Sequence, residues 1–174
     1  MPEQMTIDPQ AAREMEREGL YKNYAFVETP LGRMTLVQRG DYVIELRLHG
    51  GALPEERAGE TRLLKRAKKE LTEYFAGRRK TFSLPLAPLG TPFMVSVWET
   101  LAQTVPYGRT VAYGELAKRC GNPKAARAVG MANHRNPLPI FIPCHRVVAA
   151  GGALGGYGGG LPLKEALLKL EAGE

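Results

Sequence analysis

One stretch constrains this chain more than any other: the run Pro-Ile-Phe-Ile-Pro-Cys-His-Arg-Val-Val at residues 139–148. Its apolar residues predict a buried segment that carries one cysteine, Cys144, into a sheltered place, with His145 directly after it. A thiol attacks as the thiolate, and because the pKa of a free thiol is about 8.5, a nearby base or cation must activate it. The pattern fits a nucleophilic cysteine, and it also fits a buried structural cysteine beside a histidine.

Adjacency in sequence does not by itself bring the side chains of Cys144 and His145 together. Neighbouring side chains on an extended strand point to opposite faces. A site that uses both residues therefore needs a bend in the chain or a bridging water molecule.

Composition narrows the class of protein. A chain of 174 residues fits one domain or two small ones and can bury a real core. No apolar run approaches the ~20 residues of a membrane span, and residues 1–19 lack the apolar centre of a secretory signal. The two cysteines, Cys120 and Cys144, argue against a disulfide scaffold and suit a reducing, cytoplasmic location.

Positive charge is concentrated in the second half of the chain. The formal net charge is +6, and residues 109–146 contain seven Lys and Arg against the single acidic residue Glu115. A compact basic region indicates a polyanion partner, and nucleic acid is the first candidate. A solvated charged surface with no partner gives the same pattern.

The first half reads as a sheet followed by a helix. Residues 1–19 favour a frayed helix or a flexible arm. Short apolar runs at residues 24–28, 34–38 and 42–48, separated by turns, predict an antiparallel meander, and residues 50–59 read as a loop. A helix is predicted from Thr61 to Gly77, with apolar residues at helical spacing: Leu64, Ala67, Leu71, Tyr74 and Phe75. The Pro-rich residues 84–90 resemble a linker.

The second half reads as helical. Thr91 and Pro92 form a good helix start, and four residues are predicted as the buried face of that helix: Phe93, Val97, Trp98 and Leu101. A helix over residues 111–119, a turn at 120–122 and a helix from Pro123 to about Asn133 have the outline of a helix-turn-helix. Its second helix is rich in small residues, which allow close approach to a partner.

The glycine-rich residues 149–160 leave three interpretations open. They could form a mobile surface loop, a phosphate cradle, or a pocket of bare backbone for a flat base, with Tyr157 as one wall. The last helix is predicted from Leu161, with a core face of Leu163, Leu167 and Leu170.

Three of these segments together resemble a known family. They are Pro-Cys-His-Arg-Val-Val at residues 143–148, the preceding Asn136-Pro137, and Gly-Gly-Tyr-Gly-Gly-Gly-Leu at residues 155–161. They are similar to the O6-alkylguanine-DNA alkyltransferases (methylated-DNA–protein-cysteine methyltransferases), repair proteins that move an alkyl group from guanine to their own cysteine. The resemblance is continuous from about Thr91 to Glu171 and looser back to Tyr24.

The resemblance implies an α+β fold. We expect a flexible or helical arm (residues 1–19) and a small N-terminal antiparallel-sheet domain of ribonuclease-H-like type with its linker (residues 20–90). A mostly helical C-terminal domain with a winged-helix-like helix-turn-helix (residues 91–174) would bind DNA and accept the alkyl group.

It also implies a role for each site residue. Cys144 would be the acceptor, His145 would take its proton through water, and Glu171 would hold and charge-balance His145. Tyr113 would help to rotate the nucleotide and would donate to the purine edge. The other residues implied at the DNA surface are Asn122, Lys124, Ala126 and the arginine finger Arg127. Those implied at the substrate pocket are the hinge Asn136, Val147, Tyr157 and Gly158.

The implied partner is double-stranded DNA that contains O6-alkylguanine or O4-alkylthymine, bound through its minor groove by a monomer with no membrane association. No cofactor is implied. Some relatives bind zinc in the N-terminal half, but this half offers only His49 and no cysteine, so no metal is expected.

Two other functions remain as alternatives. Alkyltransferase-like proteins recognise damaged DNA without chemistry and carry another residue, often Trp, at the cysteine position, so Cys144 argues against them. An unrelated thiol hydrolase would use Cys144 and His145.

Overall fold

The computed structural model describes residues 4–174, and the chain divides into two compact units, Met1–Leu89 and Gly90–Glu174. The first unit holds one sheet and two helices. Its elements are β1 (Thr6–Ile7), α1 (Pro9–Arg17), β2 (Lys22–Thr29), β3 (Gly32–Arg39), β4 (Tyr42–Arg47), β5 (Glu56–Ala58), α2 (Arg62–Phe75) and β6 (Pro85–Leu86).

The six strands form one mixed sheet in the order β1-β6-β4-β3-β2-β5. The predicted antiparallel meander is confirmed in β2, β3 and β4, while β5 and β6 join it through parallel pairings. Helix α2 packs on the meander, begins at the cap Thr61 and turns its predicted face inward. Its buried apolar residues are Leu64, Ala67, Leu71 and Tyr74, and burial of such side chains is worth roughly 1.5–3 kcal/mol each.

Two predicted irregular segments contribute strands instead. The expected loop at residues 50–59 contains β5, and the expected linker at residues 84–90 contains β6. Pro85 has no N–H to donate, but the hydrogen bonds that hold β6 in the sheet are made by the residues on either side of it. The carbonyl of Leu84 accepts from Thr6 at 3.2 Å, and the N–H of Ala87 donates to Val43 at 3.0 Å.

Residues 4–17 are held against the sheet. Asp8 caps α1 by accepting from the backbone N–H groups of Gln10 and Ala11. Ala12 and Met15 lie in a buried cluster to which β4 also contributes. Helix α1 is therefore packed rather than frayed; residues 1–3, part of the same predicted arm, lie outside the described residues.

The second unit is mostly helical. Its elements are α3 (Pro92–Thr104), β7 (Val111–Ala112), α4 (Tyr113–Arg119), α5 (Ala126–His134), β8 (Val147–Val148) and α6 (Leu161–Glu171), with single 3-10 turns at Cys144–Arg146 and Ala150–Gly152. Helix α3 starts as predicted, because Thr91 accepts from the N–H of Met94. The prediction for Phe93 is wrong: it is 39% exposed, and Val95 lies in the core instead.

Helices α4 and α5 form the predicted helix-turn-helix, but α5 begins at Ala126 rather than Pro123. The side chain of Asn122 accepts from the backbone N–H of Lys124 at 3.2 Å and so holds residues 122–124 in a turn. Lys124 therefore precedes the helix. The far end of α5 is fixed on α3, since the indole of Trp98 donates to the carbonyl of Ala132 at 2.9 Å.

Two absences hold for the described part of the chain. Across residues 4–174, no helix is long and apolar enough to cross a membrane. Over the same residues, no group of three or more His, Cys, Asp or Glu side chains is arranged to hold a metal ion.

Candidate active site

A two-stranded parallel sheet brings the start of α4 beside the cysteine turn. Val111 and Ala112 in β7 pair with Val147 and Val148 in β8. Strand β7 leads directly into Tyr113, and β8 directly follows the 3-10 turn Cys144–Arg146. This pairing places Tyr113 and Cys144 in one site, although they are 31 residues apart in sequence.

The cysteine sits on a bend that the preceding segment sets up. The 3-10 turn supplies the predicted bend between Cys144 and His145. The side chain of Asn136 clasps the segment before this turn by two hydrogen bonds to its backbone. The Asn136 amide donates to the carbonyl of Ile142 at 2.8 Å, and the Asn136 oxygen accepts from the backbone N–H of Leu138 at 2.9 Å. Within this clasp Ile140 has a φ of 73°, a strained conformation for a β-branched residue. The segment is therefore held in one shape against local preference.

His145 and Arg146 share one carboxylate. His145 is fully buried, and its Nε2 lies 2.5 Å from Oε2 of Glu171. Arg146 donates through Nε to Oε1 of Glu171 at 2.6 Å and through Nη1 to the carbonyl of Val105 at 2.8 Å. Nδ1 of His145 is buried and has no hydrogen-bond partner within residues 4–174. That nitrogen is the one free polar atom of the cluster.

The charge states of this cluster follow from its surroundings. Burial would raise the pKa of Glu171, but hydrogen bonds and charges from His145 and Arg146 outweigh it and hold the pKa at about 2. Burial lowers the pKa of His145 below its ordinary value, although Glu171 opposes the shift. A neutral His145 therefore donates from Nε2 to an ionised Glu171, which leaves a lone pair on Nδ1.

The thiol is protonated at rest. Cys144 is 4% exposed, and burial raises its pKa to about 11. Hydrogen bonds from Asn136 and Tyr157 and the charge of Lys164 lower this pKa, but they do not overcome the burial. The thiolate must therefore be generated by a base, and Nδ1 of His145 is an acceptor on the adjacent residue.

Lys164 is a site residue that the sequence reasoning missed. It is fully buried on α6, and its Nζ donates to the carbonyl of Val147 at 2.6 Å and to that of Gly156 at 3.2 Å. Burial lowers its pKa. This lysine ties the glycine-rich segment to β8. The available signal was its position three residues before Leu167 and seven before Glu171, which puts all three on one face of α6.

Tyr113 lies between α5 and the glycine-rich segment. A Cβ on Gly155 would meet its ring at 3.3 Å, and a Cβ on Gly130 would meet it at 3.7 Å. Gly155 also has a φ of +70°, so a side chain there would be both crowded and strained. Burial raises the pKa of the Tyr113 hydroxyl, which stays protonated.

The region that contains the site and the helix-turn-helix matches a known protein domain. A sequence profile described as "6-O-methylguanine DNA methyltransferase, DNA binding domain" matches residues 92–173, and one described as "6-O-methylguanine DNA methyltransferase, ribonuclease-like domain" matches residues 22–88. Together they span most of the chain. The chain belongs to the 6-O-methylguanine DNA methyltransferase family.

Individual members of the family are similar along most of the chain. The methylated-DNA–protein-cysteine methyltransferase of Methanosarcina acetivorans is 45% identical over 85% of this chain and 97% of its own length. The constitutive enzyme of Bacillus subtilis is also 45% identical, over 85% of this chain and 94% of its own. The Mycobacterium tuberculosis protein OGT, solved in complex with DNA, is 42% identical, with a TM-score of 0.80 over 87% of this chain and 93% of that one.

The residues that the family resemblance singled out fall into two groups. Those brought together around the thiol are Tyr113, Asn136, Cys144, His145, Val147, Tyr157 and Glu171. Gly158 lies farther along the glycine-rich segment, where a Cβ would stand 3.6 Å from the carbonyl of His134. Those on the helix-turn-helix, at and before the start of α5, are Asn122, Lys124, Ala126 and Arg127.

The second group belongs to an open surface. Arg127 is exposed, and within residues 4–174 its guanidinium has no hydrogen-bond or ion-pair partner. Asn122 and Lys124 are exposed too, while Ala126 is half-buried. The side chains that hydrogen-bond to the Cys144 thiol are Asn136 and Tyr157, and none of these four residues is among them.

Proposed function

We propose that this chain repairs alkylated DNA by transferring an alkyl group from O6 of guanine, or from O4 of thymine, to the sulfur of Cys144. One observation carries this proposal: a buried thiol on a bend beside a histidine whose Nε2 is bound to a carboxylate and whose Nδ1 is free within the described residues. Membership of the 6-O-methylguanine DNA methyltransferase family supplies the substrate class.

The alkylated base must leave the duplex before the sulfur can reach it, at a cost of roughly a few kcal/mol. The helix-turn-helix is proposed to dock in the minor groove, where the exposed Arg127 fills the space that the base leaves. Ala126 and its small neighbours allow close backbone approach, and Asn122 and Lys124 lie beside the DNA backbone. Tyr113 turns the nucleotide and donates to the purine edge.

The transfer is an in-line displacement at the alkyl carbon. The proton of Cys144 passes through a water molecule to Nδ1 of His145, and Glu171 balances the imidazolium charge that results. A sulfur–carbon bond forms as the carbon–oxygen bond breaks, and the guanine leaves as the neutral base by taking a proton from the Tyr113 hydroxyl. The proton held on His145 then replaces the one that Tyr113 gave up, so both side chains end neutral. The pocket for the flipped base is proposed to be lined by Val147, Tyr157 and the backbone of Gly158.

The protein is proposed to act as a monomer, without a cofactor, in the cytoplasm. The chemistry above uses side chains of this chain and water. Cys120 and Cys144 are both free thiols, which suits a reducing compartment.

A single turnover is the expected result of a titration. The product is a thioether, whose carbon–sulfur bond is stable to water, and the other free thiol, Cys120, lies at the end of α4 in the turn before α5. Fixed protein incubated with rising amounts of duplex that carries labelled O6-methylguanine should therefore take up about one methyl group per active molecule. Uptake that continues past one equivalent would contradict the proposed chemistry.

Replacing Arg127 should separate base flipping from chemistry. We expect Arg127→Ala to slow transfer from duplex DNA by about tenfold or more, but to leave the reaction with free O6-benzylguanine nearly unchanged, because the free base needs no flipping. Single-turnover rates on the two substrates measure this. The matched control is Arg13→Ala, which removes an exposed arginine from α1 and should change neither rate. Equal losses on both substrates for Arg127→Ala would place this residue in the pocket or the fold.

A further inference from the structure

Asn133 is a buried polar residue that the mechanism above does not use. It lies in the last turn of α5, is 5% exposed and shares its buried face with the apolar Val129 and Ala132. Its Nδ2 donates to the carbonyl of Cys144 at 3.2 Å. Its Oδ1 is buried and accepts no hydrogen bond within residues 4–174.

The same amide also faces Tyr113. Asn133 lies close to the Tyr113 hydroxyl, where it opposes the rise in the pKa of that hydroxyl that burial causes. Gly130, one turn earlier on α5, lets the ring of Tyr113 pack directly against the helix. One side chain of the helix-turn-helix is therefore bonded to the backbone of the nucleophile and lies beside the tyrosine that is proposed to meet the substrate.

Stability alone does not favour an amide at this position. A buried oxygen without a hydrogen-bond partner costs the free energy of its lost hydration, whereas leucine, which has the same branching and the same number of side-chain heavy atoms as asparagine, would add apolar burial. Polar groups left partly unpaired in a core are concentrated at functional sites. The position of Asn133 is thus one where function, rather than packing, accounts for the residue.

We propose that Asn133 is a positioning residue for alkyl transfer, which holds the carbonyl of Cys144 and orients the hydroxyl of Tyr113 through one amide. This inference rests on the proposed function. Asn136 holds the carbonyl of Ile142 on one side of the nucleophile, and Asn133 holds that of Cys144 on the other. The first amide holds the carbonyl that also accepts from the N–H of Cys144, and the second holds the carbonyl of Cys144 itself.

The reaction explains why such fixing matters. An in-line displacement needs the sulfur, the alkyl carbon and the leaving oxygen close to one line, and a misplacement of about 1 Å costs on the order of 10²-fold in rate. Tyr113 holds the substrate and Cys144 holds the sulfur, so a side chain that is bonded to the carbonyl of Cys144 and lies beside the hydroxyl of Tyr113 helps to set their separation. Asn133 acts through these residues and does not touch the reacting atoms itself.

The test is a double-mutant cycle between Asn133 and Tyr113. We expect Asn133→Leu to lower the single-turnover rate by roughly 10- to 100-fold on methylated duplex and on free O6-benzylguanine. Its thermal stability and its affinity for unmodified duplex should stay close to those of the wild type. In a Tyr113→Phe background the same substitution should cost several-fold less, because the hydroxyl that Asn133 orients is already gone.

A second variant keeps the proposal testable if Asn133→Leu does not fold. Asn133→Asp preserves size and polarity, but its carboxylate cannot donate to the carbonyl of Cys144, so it should show a loss of similar size. The inference is wrong if the folded variants transfer at the wild-type rate, or if the losses from Asn133 and Tyr113 simply multiply. It is also wrong if the rate loss only follows a loss of folded protein. Wild-type protein in the same assay reports on the proposed function separately, since without transfer there the function itself fails.

Discussion

Replacing Cys144 with serine is expected to abolish alkyl transfer while leaving DNA binding within about twofold of the wild type. A serine hydroxyl is far less acidic than a thiol, and its oxygen is a much poorer nucleophile than sulfur for displacement at a saturated carbon. Arg127 and the other residues proposed to face DNA lie on the helix-turn-helix, at and before the start of α5, so the proposed binding surface should survive. Labelled-methyl transfer and a duplex-binding titration on the same preparation measure the two properties.

The matched control is Cys120→Ser. Cys120 ends α4 and is the other free cysteine of this chain, but nothing places it at the site. The control should transfer about as fast as the wild type. If transfer survived Cys144→Ser but was lost in Cys120→Ser, the nucleophile would be Cys120 and the assignment of Cys144 would be wrong.

The second large effect is expected from Glu171→Gln. When Nδ1 of His145 takes the thiol proton, the buried imidazolium needs a negative charge beside it, and an amide cannot supply one. We expect the transfer rate near neutral pH to fall by about 10²–10³-fold on free O6-benzylguanine as well as on duplex. Single-turnover kinetics at several pH values on both substrates measure the loss.

The same carboxylate makes stability depend on pH. The folded-state pKa of Glu171 is about 2, below its ordinary value of 4.5, so its contribution to the free energy of unfolding is present above about pH 5. That contribution, about 3 kcal/mol for a shift of this size, is lost as the pH falls through the folded pKa near 2. Urea unfolding between pH 6 and 2 should show the loss in the wild type, and Glu171→Gln should lack this component.

An exposed carboxylate on the same helix provides the control. Glu165 pairs with Lys169 at 3.1 Å, with both side chains more than half exposed, and such pairs contribute little to stability. Glu165→Gln should leave the transfer rate and the acid-unfolding profile nearly unchanged. If Glu171→Gln transferred at the wild-type rate, His145 would not become charged during the reaction.

Local patterns predicted the elements whose signals lie within a few residues. Thr91 was identified as a helix cap from its neighbours, and Thr61 was identified as the start of a helix from the change in apolar spacing; the structure shows both threonines capping their helices. The strands of the meander followed from short apolar runs between turns. The strands β5 and β6 were missed because their pairing partners lie far away in sequence, and their own residues, including Pro85, resemble those of loops.

The apolar pattern did not predict which polar residues are buried in the site. The pattern for α6 predicted a core face of Leu163, Leu167 and Leu170, but only Leu167 among them is fully buried. Lys164 and Glu171 occupy the rest of that face because their partners, the carbonyl of Val147 and the side chains of His145 and Arg146, come from other segments. Hydrophobicity ranks such residues as exposed, and only their distant partners make their burial possible. The family resemblance pointed to Glu171, and the spacing of Lys164 to Leu167 and Glu171 placed it on the same face of α6, but no local signal pointed to Asn133.

The central claim is that Cys144 accepts the alkyl group, and peptide mass spectrometry tests it most directly. Wild-type protein is incubated with excess duplex that contains O6-methylguanine, digested and mapped, with unmodified duplex as the control. The peptide that carries Cys144 should gain the mass of one methyl group in nearly all active molecules, while the peptide that carries Cys120 stays unchanged. A methyl group on any other residue, or methyl lost from the DNA with none on the protein, would contradict the account.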